Sequence, residues 1–230
     1  MEELIPFDAT YVVYKDGDLF SELLALCSLS PIFIVVAFTV LCLFHRYIYI
    51  YLYFIGILIN VMINLILKQV IAQPRPDSLQ QHHQIDYGMP SNHSQFIFFF
   101  TTYGILLIHH YIRLLPNHLK YKTYIYTIID FLLILLALLT SYSRISLGYH
   151  SNSQVIFGAL IGISLAYLYQ KIIYHSTIYS YITNTFNYFN QIIPFLYIKN
   201  DQNIPLSYDL FHYEYNLQQL KLKSPPLKSP

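Results

Sequence analysis

Tyr87-Gly88-Met89-Pro90-Ser91-Asn92-His93-Ser94-Gln95 closes a polar, turn-rich loop, and an apolar run, Phe96-Ile97-Phe98-Phe99-Phe100, follows at once. If that run is a helix, its first unpaired backbone N–H groups fall at Ser91 to Ser94, beside a hydroxyl and an imidazole. Unpaired donors at the positive end of a helix dipole make a site for anions, phosphate above all. Pro-Ser-Asn is equally an ordinary capping turn. The flanking sequence decides between the two.

The 230-residue chain is 55% hydrophobic and 11% charged, against about a quarter charged in a soluble domain. Its apolar residues come in blocks of about twenty, enough to cross a bilayer of roughly 30 Å. The expected fold is therefore all-α, a polytopic membrane helix bundle of about five spans. A net charge of +1 gives no reason to expect nucleic acid as a partner. The acidic start (Glu2, Glu3, Asp8) lacks the basic segment of a signal peptide.

Working outward, span one is expected from about Leu23 to Phe44, with Pro31 tolerated as a kink. Span two runs from Tyr47 to Leu67, with Asn60 and Asn64 on one helical face, where amides glue helices together. Residues 68–94 form the longest internal loop. Span three covers about Gln95 to Leu115, span four Thr123 to Tyr142 and span five Ser153 to Ile173. This divides the chain into an N-terminal segment, 1–22, a membrane domain, 23–173, and an interfacial and cytosolic tail, 174–230. Asp130, inside span four, reads as a buried neutral acid or one facing a neighbouring helix. The adjacent His109 and His110 read as interfacial. Five spans put residues 68–94 and 143–152 on the same side as the N-terminus. Arg46, Arg113, Lys120, Lys122 and Lys171 lie on the other, which the positive-inside rule makes cytosolic.

Three polar clusters thereby share one membrane face. They are Lys68-x6-Arg75-Pro76, then Pro90-Ser91-Asn92-His93, then Ser143-Arg144-x5-His150 followed by Gln154. Together they bring Lys68, Arg75 and Arg144, two histidines, a serine and a helix start, with no acidic pair and no acidic or cysteine cluster to bind metal. Singly, each cation reads as a charge that ends a span. Gathered without carboxylates, they call for an anion from outside.

These spacings resemble the three motifs of the type 2 phosphatidate phosphatase superfamily, whose site chemistry is shared with vanadium haloperoxidases. The third motif normally ends His-x3-Asp, whereas position 154 is Gln. That departure, with the flanks Tyr87 to Phe96 and Tyr149 to Val155, resembles the dolichyldiphosphatase branch, as do Leu29-Ser30-Pro31 and the Ile-Pro and Tyr-Glu-Tyr elements of the tail. The resemblance implies a metal-independent hydrolase, without cofactor, in the endoplasmic reticulum membrane. Its partners are the membrane lipid and its substrate, dolichyl diphosphate, cleaved on the lumenal side to dolichyl phosphate for reuse in protein glycosylation. His150 is then the nucleophile, passing through a phosphohistidine. His93 protonates the leaving group or activates the water that later releases phosphate. Lys68, Arg75, Arg144, Ser91 and Asn92 hold the phosphate. Gln154, four residues past His150, shares its helical face and is placed to orient it. A carboxylate there would also stabilise imidazolium character; an anhydride substrate needs that less, because its leaving phosphate has a second pKa of roughly 6. Two alternatives stay open: a phosphatase for another lipid phosphate or prenyl diphosphate, and a non-catalytic scaffold that binds lipid headgroups.

Overall fold

The computed structural model describes residues 18–76, 87–112, 122–193 and 198. The expectations for the N-terminal 17 residues, for Lys120 and for the tail past 198 lie outside the described residues. Those described form seven helices and no strand: α1 (Leu19–Ser28), α2 (Ser30–Phe44), α3 (Ile48–Ile71), α4 (Asn92–Ile112), α5 (Lys122–Ser146), α6 (Asn152–Ile173) and α7 (Ser176–Ile192).

The first span is broken where a kink was expected. Its two helices meet at Leu29 at an angle of 42°, and Pro31 sits in the first turn of α2, where its missing N–H costs no helical bond. The helix also begins earlier than position 23, because the Asp18 carboxylate accepts from the Phe20 N–H at 3.0 Å and caps α1. Among the described residues, α3, α5 and α6 are long and apolar enough to cross a membrane, and the bent α1–α2 pair makes a fourth crossing if counted as one span. The third expected span falls on α4. That helix lies between α3, α5 and α6, with Phe96, Ile97, Phe99, Thr101 and Tyr103 buried. The surrounding helices turn their apolar side chains outward, among them Met62 and Ile66 of α3, Leu132 and Leu138 of α5, and Ile156 and Leu160 of α6. A bundle that is apolar outside as well as inside is solvated by lipid.

Two devices lock α4 in place. On α6, a β-carbon at Gly158 would stand 2.7 Å from the Ser91 carbonyl oxygen, and one at Gly162 would overlap the carbonyl of Gln95. The glycine face lets the two backbones touch, as small residues four apart do between membrane helices. On α3, the expected amide pair finds its partner in Gln95. Gln95 Nε2 donates to Asn60 Oδ1 at 3.0 Å, and Asn64 Nδ2 donates to Gln95 Oε1 at 2.8 Å. All three side chains are fully buried.

At the other end of α4, His109 Nε2 lies 2.7 Å from Asp130 Oδ2 of α5. His109 is thus more than an interfacial residue, and Asp130 faces a neighbouring helix, one of the two readings its sequence position allowed. The cause is geometric: the two helices are neighbours and bring the groups to the same level.

Candidate active site

Helix ends build the site. Two of its cations sit inside helices and not in the loops assigned to them. Lys68 lies in the last turn of α3 and Arg144 in the last turn of α5, where a positive charge complements the negative end of the dipole. Both helices outrun their apolar stretches. α3 stops at Ala72, whose left-handed φ of 48° sends its N–H back to the Lys68 carbonyl at 3.0 Å. The chain then runs through Pro74 and Arg75. Pro74 pairs with Tyr87 in an isolated antiparallel bridge, and the Gly88 N–H donates to the Gln73 carbonyl at 2.7 Å. The Arg75 segment is thereby tied to the strip that enters α4. After α5, Gly148 (φ 76°) reverses the chain, and the His150 N–H closes the turn on the Arg144 carbonyl at 3.0 Å.

Gln154 connects all three motifs. The expectation placed its side chain beside His150, and Oε1 lies 3.1 Å from His150 Nδ1. The same oxygen accepts the Ser151 N–H at 3.3 Å, completing a capping box at the start of α6. Its Nε2 donates to the Pro74 carbonyl at 2.9 Å, and its backbone carbonyl accepts the Ser91 N–H at 3.1 Å. A carbonyl only accepts, so Pro74 fixes which end of the amide carries the NH2 group. Oε1 is then an acceptor, and His150 Nδ1 must be the donor. The imidazole is held with Nε2 unprotonated.

The remaining groups converge on the two histidines. Arg144, Arg75 and Lys68 all act electrostatically on His150, and the same three cations and the His150 imidazole surround His93. The Arg144 guanidinium lies 3.9 Å above the Tyr149 ring, a cation–π contact that holds it without neutralising it. Burial, reinforced by the charges of Arg144 and Arg75, drives His150 down from its usual range to about 3; the Gln154 contact opposes the shift and Lys68 adds to it. His150 is therefore neutral at physiological pH. Buried side-chain atoms without a hydrogen-bond partner include Ser91 Oγ, Arg144 Nε and Asn92 Oδ1. The first two can donate to an anion. The third only accepts; the backbone N–H of Asn92, in the first turn of α4, is a donor that an anion can use.

Tyr149, Gly88 and the Pro74 carbonyl were not among the expected site residues. Tyr149 and Gly88 lie in the flanks that carried the family resemblance, where no role was attached to them. Ser94 is another: its hydroxyl donates to the Val155 carbonyl at 2.8 Å and accepts from Ser141 Oγ at 3.2 Å, joining α4, α6 and α5 just beneath the site.

A family described as the PAP2 superfamily matches residues 48–178, which span α3 to the start of α7 and every group above. The chain belongs to the PAP2 superfamily. Within it, this PAP2 member is similar to proteins named dolichyldiphosphatase. The Homo sapiens protein, Dolichyldiphosphatase 1, is 38% identical over 161 residues, 68% of this chain and 66% of its own length. The Dictyostelium discoideum protein of the same name is 31% identical over 221 residues, covering 94% of this chain and 90% of its own. The Saccharomyces cerevisiae dolichyldiphosphatase is 36% identical over 171 residues, 72% of this chain and 69% of its own. A solved structure, a transmembrane PAP2 type phosphatidylglycerolphosphate phosphatase from Bacillus subtilis, superposes with a TM-score of 0.54 over 71% of this chain and 80% of that one. At 19% identity it supports the fold.

Proposed function

We propose that this PAP2 phosphatase removes the terminal phosphate of dolichyl diphosphate, releasing dolichyl phosphate for reuse in protein N-glycosylation, with its site on the lumenal face of the endoplasmic reticulum membrane. The names of its relatives support the substrate, and the distribution of Lys and Arg supports the orientation. The observation that carries the mechanism is the relay from the Pro74 carbonyl through the Gln154 amide to His150 Nδ1. It leaves the Nε2 lone pair free on a histidine that burial and neighbouring cations keep neutral.

In this mechanism Nε2 of His150 attacks the terminal phosphorus. The bond from that phosphorus to the bridging oxygen breaks, and dolichyl phosphate leaves. Lys68, Arg75 and Arg144 hold the non-bridging oxygens, with Ser91 Oγ and the backbone N–H near Asn92 as further donors. Phosphoryl transfer needs mainly this positioning and charge stabilisation. His93, buried among the same three cations, takes a proton from the water that attacks the phosphohistidine, and dolichyl phosphate leaves as the anion. The leaving phosphate's second pKa of roughly 6 makes protonation less demanding than for an alcohol, so an amide at position 154 suits a diphosphate.

The test is phosphate release by the purified protein from dolichyl diphosphate, dolichyl phosphate, phosphatidate and a sphingoid phosphate. The expectation is a preference for the first, insensitivity to EDTA, inhibition by vanadate, and no turnover by His150→Ala. Activity that disappears with chelator and returns with magnesium overturns the mechanism. A relative from Arabidopsis thaliana named "Lipid phosphate phosphatase gamma", 32% identical over 171 residues, favours the broader lipid-phosphate reading. Equal rates across the panel would establish that reading instead.

A further inference from the structure

α7 is the element the phosphatase reading leaves unused. It begins three residues after the end of α6, following Tyr174 and His175, and lies against the start of α3. There Tyr179, Ile182 and Phe186 pack on Ile48, Leu52 and Ile173. The ends of two membrane-crossing helices meet at that spot, so α7 sits at the level where the bundle leaves the hydrocarbon. From Ser176 to Ile192 it carries no Asp, Glu, Lys or Arg.

At about 100° per residue, the helix divides into three sectors. Tyr179, Ile182, Thr183, Phe186 and Asn190 form the sector packed on the bundle, each of them buried or half-buried. Ser180, Asn184, Asn187 and Gln191 form an exposed polar sector. Between these lie Ile178, Tyr181, Tyr188, Phe189 and Ile192, exposed by 38% to 75%. A helix docked on a soluble surface has two sectors, one packed and one wet. A third sector, apolar, aromatic and open, needs a third environment. Tyrosine and phenylalanine at the end of a membrane span are side chains of the bilayer interface.

We infer that α7 is an interfacial helix, lying in the plane of the membrane with Tyr181, Tyr188, Phe189 and Ile192 sunk into the headgroup–acyl boundary, on the face opposite the phosphate site. The occupant of the open sector is lipid because α7 packs on the ends of two membrane-crossing helices, α3 and α6, and α6 turns Leu168 and Ile172 outward towards that same end. Interfacial helices usually bear lysine and arginine on the polar face and favour anionic lipid. This one has neither, so its insertion is independent of lipid charge and of salt.

The chain contains no tryptophan, so one introduced residue reports alone. Tyr188→Trp, Phe189→Trp and Asn184→Trp are made separately in the full chain and reconstituted into zwitterionic vesicles. Lipids brominated near the headgroup end of the acyl chain should quench the first two more than lipids brominated near the methyl end, and iodide should quench them weakly. Asn184→Trp should show the reverse: strong iodide quenching and little from bromine. Replacing part of the lipid by an anionic one, or adding salt, should leave the pattern unchanged. The inference is overturned if Tyr188→Trp and Phe189→Trp are quenched by iodide and not by bromolipid. It is overturned equally if both are shielded from both quenchers, which would mean that protein covers the sector; cross-linking at position 188 would then tell a second copy from another part of the chain.

Discussion

Replacing Gln154 by glutamate changes one NH2 group into an oxygen and keeps the shape of the side chain. Oε1 still accepts from His150 Nδ1 and the Ser151 N–H. The other end, which donates to the Pro74 carbonyl at 2.9 Å in the native protein, then presents oxygen to oxygen. Position 154 is only 2% exposed, so water is poorly placed to separate them, and a buried acceptor stripped of its donor costs about 1–3 kcal/mol. Pro74 precedes Arg75, so the cost falls on the segment that holds one phosphate-binding cation. If it all appears in anion binding, vanadate affinity drops by about 5- to 150-fold. The new carboxylate also competes with phosphate for Arg75, Arg144 and Lys68, adding to the loss, and an acid against His150 raises its pKa by about one to three units. Sequence alone suggested that a carboxylate here stabilises imidazolium character on His150; the Pro74 contact adds a second consequence, a weaker hold on the segment that carries Arg75. Gln154→Met, uncharged and of similar length, separates the two effects: it loses all three side-chain hydrogen bonds without adding charge, so it should keep the vanadate loss that comes from the Pro74 segment, lack the added competition from a carboxylate, and lower kcat as the tautomer control is lost. The assay is the vanadate inhibition constant with kcat and KM for dolichyl diphosphate, with thermal unfolding in detergent as a check on folding. If the glutamate variant binds vanadate as the native protein does and turns over at the same rate, the amide relay does not hold the site, and the tautomer argument falls with it.

Four further outcomes follow from the same structure. His150, held at about 3 against about 6.5 when unfolded, favours folding above pH 6.5, and this contribution drains away as the pH falls towards 3; its imidazole resonance, assigned with His150→Ala, should not titrate between about pH 8 and pH 5. Gly88→Ala places a β-carbon 2.6 Å from Gln154 Nε2, so activity should fall well before thermal stability does, and equal activity would show that Gln154 moves freely. Gly162→Ala drives a methyl group into the Gln95 carbonyl and should destabilise the bundle by about 1–3 kcal/mol, read as a lower unfolding temperature. Cysteines introduced at Gln81 and Lys120 should react with an impermeant reagent on sealed microsomes at position 120 and not at 81; the reverse pattern inverts the orientation.

The bilayer explains how much of this was legible beforehand. Lipid requires long apolar runs with every backbone group paired inside them, so the composition led to a membrane-spanning helical bundle, and the polar groups collected at the ends of the runs marked one face. Lys68, Arg75, Ser91, His93, Arg144 and His150 could be assigned to one face because their spacing ties them to helix ends, and tertiary structure brings those ends together. Hydropathy records the environment a side chain prefers, and in a membrane protein the packed face and the lipid face prefer the same one. The pattern therefore could not say that α4 is the enclosed helix, that α6 meets it through Gly158 and Gly162, or that α7 packs on one side and lies open on another. It was equally silent on partners. Asn60 and Asn64 announced a contact without naming Gln95, and Asp130 without naming His109. The direction of the Gln154 amide, on which the tautomer of His150 rests, is set by the Pro74 carbonyl, 80 residues earlier in the chain. No local spacing encodes that choice, because it exists only once α3, α4 and α6 have closed around the same point.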